Sequence, residues 1–160
     1  MSVWTHVSGV LQLGRLNLLD EQPDEKMIPV VKEILGDTIS WRHDEGAWNI
    51  WLKSENKVPG GDEGSIQYKI TQEEEISGIV VVFWGDLRGR GKRDSQEIKT
   101  WFLGVCEKWQ KNEDGGFGVN SALMEIRCSD SNELEICVAQ DPFQEESPII
   151  FNSLTVPAVL

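Results

Sequence analysis

Tyrosine is nearly absent from this 160-residue chain: there is one, against seven tryptophans. Histidine is scarce at two, cysteine at three, and basic residues number 15 against 27 acidic ones. The formal net charge is -12. Each shortage excludes something. Phosphate affinity is carried by Lys and Arg, so general binding to DNA, RNA or an anionic membrane surface is not expected. An odd cysteine count speaks against a disulfide framework and for a reducing compartment, so a cytoplasmic location is expected. No apolar run reaches the length of a membrane span. Residues 2–13 lack the basic start of a signal peptide. The two histidines, His6 and His43, have no ligand spacing that joins them to Asp44 or Glu45. There is no G-x-S-x-G elbow and no P-loop, and no carboxylate pair stands out among the acids. The chain is therefore expected to be no enzyme and to hold no cofactor and no metal.

What is present is ordinary for a globular protein: 39% apolar and 26% charged residues, in a length that fits one domain with a core. Residues 3–13 alternate as a strand. Val3, Thr5, Val7, Leu11 and Leu13 share one face; Trp4, His6, Ser8 and Val10 share the other. Residues 23–35 carry Met27, Ile28, Val31, Ile34 and Leu35 at helical spacing, with Gly36 as the stop. Pro29 places the start of the regular helix near Ile28. Residues 38–57 hold Trp41, Trp48 and Trp51 around a polar turn and predict a β-hairpin. Residues 66–71 alternate as a half-buried strand.

Residues 121–128 and 133–139 predict two strands joined by a four-residue turn. Their alternation groups Ala122, Met124, Ile126 and Cys128 with Leu134, Ile136 and Val138. Glu125, Arg127, Glu133 and Glu135 then point the other way. On that parity Cys128 and Cys137 lie on opposite faces and cannot bridge. All three cysteines read as small buried hydrophobes. Residues 141–160 are too apolar for a disordered tail and too rich in proline for a helix, which predicts an extended segment.

The most informative stretch is residues 78–109. A continuous apolar run, residues 79–84, leads into Gly85-Asp86-Leu87-Arg88-Gly89-Arg90-Gly91-Lys92-Arg93. A helix follows, with Ile98, Trp101, Phe102, Val105, Cys106 and Trp109 forming one apolar stripe. Four basic residues fall within six positions at a strand-to-helix junction, where backbone N–H groups also favour anions. Arg88, Arg90, Lys92 and Arg93, with Trp84 beside them for stacking, are the candidate ligand-binding residues. The competing reading is an exposed turn whose charges balance nearby acids.

The element order predicts an α+β, ferredoxin-like split βαβ sandwich with two helices on one face of an antiparallel sheet. Residues 1–140 make the domain, residues 38–57 the inserted hairpin, and residues 141–160 the extended tail. The second sheet face would carry Trp4, Val10, Val80, Val82 and Trp84. Such a face needs a cover or a partner, so a homo-oligomer is expected.

Trp4-Thr5-His6-Val7-Ser8-Gly9, Gly64-Ser65-Ile66-Gln67-Tyr68 and the run from Val80 to Arg88 resemble a group of uncharacterised phage and prophage proteins. That group is marked by a W-T-H-[IV]-x-G start and an apolar strand ending in G-x-L-R. The resemblance implies a phage accessory or anti-defence protein and picks out Gly85, Leu87 and Arg88. Two functions follow as expectations. One is a binding protein that sequesters a nucleotide-like, phosphate-bearing ligand or blocks a host protein. The other is a protein-interaction module with no small ligand.

Overall fold

The computed structural model describes residues 2–15, 29, 33–36, 58–61, 63–73, 78–110, 117–140 and 150–158. Within them six strands form one sheet: β1 (Trp4–Arg15), β2 (Gln67–Glu73), β3 (Gly78–Arg88), β4 (Phe117–Cys128), β5 (Glu133–Gln140) and β6 (Ile150–Pro157). The spatial order is β2-β3-β1-β4-β5-β6, and every neighbouring pair is antiparallel. A 3-10 turn, Lys92–Asp94, leads into α1 (Ser95–Gln110).

This overturns the two-helix ferredoxin-like sandwich. The protein is mostly a six-stranded antiparallel sheet, and α1 is the one helix described along its whole length. The physical reason is that extended pairing continues past the expected strand ends. β1 runs on to Arg15, and β4 begins at Phe117, held to β1 across a register shift between Gln12 and Leu13. The supposed tail supplies a strand as well. Its prolines bracket Ile150–Pro157 instead of breaking it: Pro148 precedes the strand and Pro157 ends it. Of the helix predicted over 23–35, Pro29 and residues 33–35 are helical, and Gly36 follows with φ 93°. The hairpin predicted over 38–57 lies outside the described residues.

The core sits between α1 and one sheet face. Ile98, Phe102, Val105, Cys106 and Trp109 of α1 are buried with Val7, Leu11, Val81, Phe83, Met124 and Ile126. Side chains of this size contribute on the order of 1.5–3 kcal/mol each when fully buried. Phe83 organises the contact. It meets Trp101 edge-on at 5.7 Å and 85°, and Phe102 at 5.9 Å. The Trp101 indole N–H donates to the Leu35 carbonyl at 3.3 Å, and the Tyr68 hydroxyl to the Gly36 carbonyl at 3.1 Å. These two bonds tie the end of the upstream helical segment to α1 and β2.

Hydrophobic alternation misassigned β5. Met124 pairs with Cys137 and Ile126 with Glu135, so Glu135, Cys137 and Ala139 face the helix. Leu134, Ile136 and Val138 face the other way. Cys128 and Cys137 therefore share a face, contrary to the expected parity. All three cysteines are buried and free, and burial pushes the Cys106 thiol up to about 12.

Gly9 gives Phe83 its space. A Cβ there would lie 2.2 Å from the Phe83 ring and 2.4 Å from the Leu123 carbonyl oxygen. Gly9→Ala is predicted to destabilise the protein by about 1–3 kcal/mol, the usual cost of overpacking. Urea denaturation should show a lower midpoint at unchanged slope.

Candidate functional site

The strand-to-helix loop is built by its own carboxylates. Arg88 pairs with Glu63. The Arg90 Nε–H donates to the Gly60 carbonyl at 2.9 Å, and its guanidinium contacts Glu97 at 2.7 Å and Asp94 at 3.9 Å. Lys92 pairs with Glu133, which raises its ammonium above the ordinary value. The Gly91 N–H donates to Asp94 Oδ2 at 3.1 Å, and the Lys92 N–H to Asp130 Oδ1 at 3.1 Å. The backbone donors that would receive a phosphate thus already hold Asp94 and Asp130. Arg93 is exposed and has no ion pair among the described residues.

Trp84 does not join this cluster. It shares a sheet face with Arg88 but lies four residues back along β3, roughly 13 Å away. The G-x-L-R positions have a structural explanation. Residues 58–61 and 63–66 lie across the end of β3, where the Arg88 N–H donates to the Glu63 carbonyl, and the Ile66 N–H donates to the Pro59 carbonyl. A Cβ on Gly85 would lie 2.9 Å from the Ser65 carbonyl oxygen. One on Gly64, where φ is 76°, would lie 1.9 Å from the Asp86 carbonyl oxygen. Leu87 is fully buried beneath the crossing.

A second polar cluster anchors β5 to α1. Glu135 is 7% exposed. The Lys99 ammonium donates to its Oε2 at 2.6 Å, and the Ser95 hydroxyl lies 2.8 Å from its Oε1. Burial pushes the Glu135 carboxyl up, but the hydrogen bonds from Lys99 and Ser95 and the Lys99 charge outweigh it and hold the group below its ordinary value.

Because Glu135 is held inward, the apolar side of β5 turns outward. Val82, Val10, Leu123 and Val138 then form one row, each paired with the next across β3, β1, β4 and β5. They are 42%, 37%, 39% and 38% exposed. Trp84, at 47%, lies one step along from Val82 on the same face. Leu154 on β6 pairs with Ile136 and is 60% exposed. At one end of the face His6 pairs with Asp86 and stands opposite Arg127. The expected open face is therefore present, with Val10, Val82 and Trp84 on it. Leu123, Val138 and Leu154 were not placed on this face from the sequence: Leu123 lies on β4, whose alternation already set it apart from Met124, Val138 on β5 was read on the wrong parity, and Leu154 on β6 was not read as strand.

Among the described residues, no group of three or more His, Cys, Asp or Glu is placed to hold a metal ion, and no helix is long and apolar enough to cross a membrane. No protein-family profile matches the chain, and no curated protein matches it either. One solved structure, the Csm3–Csm4 subcomplex of the type III-A CRISPR-Cas interference complex, aligns with 99% of this chain and 92% of that chain. The identity is 11% and the TM-score 0.32, too low to establish a shared fold.

Two predictions follow from the buried anchor. Glu135→Ala leaves Lys99 without its partner and should cost about 3 kcal/mol in chemical denaturation. The Glu135 carboxyl is held low, so its contribution is complete above the ordinary value of 4.5 and fades as pH falls through the folded-state value. Between pH 5 and pH 3, on the order of the range where carboxyls titrate, Glu135→Gln should lose less stability than the natural protein.

Proposed function

We propose that this protein acts by binding another protein through the open face of its sheet. One observation carries the reading: β5 buries Glu135 and turns Leu134, Ile136 and Val138 to the outer face, the first two half-buried and Val138 exposed, against the usual sorting of side chains. A strand normally sends its apolar set inward. Here that set extends the row from Val82 to Val138, which spans roughly 14 Å over four strands. Contiguous exposed apolar surface is a mark of interaction sites. Trp84 supplies the large aromatic anchor such sites favour.

The loop at Arg88–Arg93 supports a phosphate-bearing ligand less well. Arg88, Arg90 and Lys92 each have a carboxylate partner, and the loop N–H groups are engaged. Its work in this reading is to hold Gly60, Glu63 and the β4–β5 turn in place. The sequence resemblance to phage proteins supports a host protein as the partner and an accessory role for the chain. Binding, not catalysis, is the activity that this surface serves.

Site-specific photo-crosslinking in the host cell tests the reading. A benzophenone side chain at Val82 or Val138 should yield a defined adduct, and one at Lys108 on the exposed side of α1 should not. Against the partner so identified, Trp84→Ala should weaken binding by about 2 kcal/mol. Adducts that form equally from Lys108, or not at all from the sheet face, would sink the proposal.

A further inference from the structure

The central exposed apolar side chains of the open face lie in one line that crosses the strands. Taking that face as the binding surface proposed above, we propose that its occupant is an amphipathic α-helix with a basic polar side, laid across the strands along this line. Val82, Val10, Leu123 and Val138 pair in succession across β3, β1, β4 and β5. Each is between 37% and 42% exposed. Lys69 of β2 and Asn152 of β6 close the line at its two ends.

The side chains beside the line select a helix. On β1 the same-face neighbours of Val10 are Ser8 and Gln12; on β4 those of Leu123 are Ser121 and Glu125. All four are exposed. A second sheet packed face to face would bury both flanking rows as well as the line. It would desolvate these four polar side chains in the middle of the contact, Glu125 among them. A helix lying along β1 or β4 would do the same. A helix crossing the strands leaves them wet. Its body is about 10 Å wide, and the flanking rows stand roughly 7 Å to either side of the line, at its rim. Each helical turn advances about 5.4 Å, close to the ~4.8 Å between strands, so apolar side chains on successive turns meet successive strands. Trp84 and Ile136 stand on one flank, on either side of Ser8 and Glu125, and wall the helix there.

Charge sets the polar side of that helix. The formal charge of -12 steers cationic partners toward this chain and opposes a second copy of it. Glu125, at the rim of the line, is exposed and has no ion pair among the described residues. A lysine or arginine at the edge of the helix stripe pairs with it. Arg127, one same-face step farther out on β4, lies beyond the width of the helix.

Two fluorescein-labelled peptides of about 18 residues and equal leucine and lysine content test this on the purified chain. One carries its leucines at the helical period and the other in alternation. By fluorescence anisotropy the helical-period peptide should bind about tenfold more tightly or better. Val10→Asp and Leu123→Asp, each with an unchanged circular dichroism spectrum, should weaken it about tenfold, although each adds attraction for lysine. Gln12→Asp, off the line, should not weaken it. Equal binding of the two peptides, binding of neither, or binding that survives both aspartate variants on the line would overturn the helix. In the host cell, adducts from benzophenone at Val82 and at Val138 should fall about ten residues apart in the partner. The line between them spans roughly 14 Å, and a helix rises about 1.5 Å per residue. Adducts about four residues apart mean an extended strand, which overturns the helix and leaves the binding face standing. No adduct from either position removes the face itself, and the helix with it.

Discussion

The contact on which the rest of this molecule depends is the buried bridge of Lys99 and Ser95 to Glu135. An acid in the core costs free energy unless it is paired and hydrogen-bonded, and here it is both. Once Glu135 is fixed against α1, strand parity leaves β5 no choice. Cys137 and Ala139 go inward with it, and Leu134, Ile136 and Val138 go outward. The bridge thus joins the helix to the sheet and at the same time makes the opposite sheet face apolar.

The two faces of the sheet therefore have different tasks. One carries the aromatic core around Phe83, Trp101 and Phe102, where Gly9 leaves the room that the Phe83 ring fills. The other carries a row of aliphatic side chains with Trp84 at its side, and nothing among the described residues lies over it. The strand-to-helix loop serves both faces from the end of the sheet. Arg88, Arg90 and Lys92 bind the protein's own acids on three separate segments: Glu63, Glu97 and Glu133. The local reversal of charge that makes this loop conspicuous in the sequence is largely cancelled by residues distant along the chain.

Much of the architecture was legible from local pattern. The alternation of β1, the apolar run of β3 and the stripe on α1 each have a period that pairs with one kind of structure, and all three form. The open face could be foreseen at Val10, Val82 and Trp84 because strand parity alone puts them on one side of β1 and β3. Residues 141–160 read as too rich in proline for a helix and so as an extended segment; that reading missed that Ile150–Pro157 pairs with β5 as a strand. The seven residues from Ile150 to Val156 contain no proline, and alternation among them was the signal that a sixth strand would form.

The sequence by itself determined the local elements, because helix and strand periods are properties of neighbouring residues. It also determined the surplus of acid, 27 acidic against 15 basic residues, that makes phosphate affinity unfavourable over most of the surface. Only the tertiary structure decided which way β5 turns, whether Arg88, Arg90 and Lys92 remain available, and how far the sheet extends. Each of those depends on a partner far along the chain: Glu135 on Lys99, Arg88 on Glu63, Lys92 on Glu133, and β6 on β5. Side-chain alternation fixes that two sets of residues face apart. It takes a contact from another element to fix which set is buried.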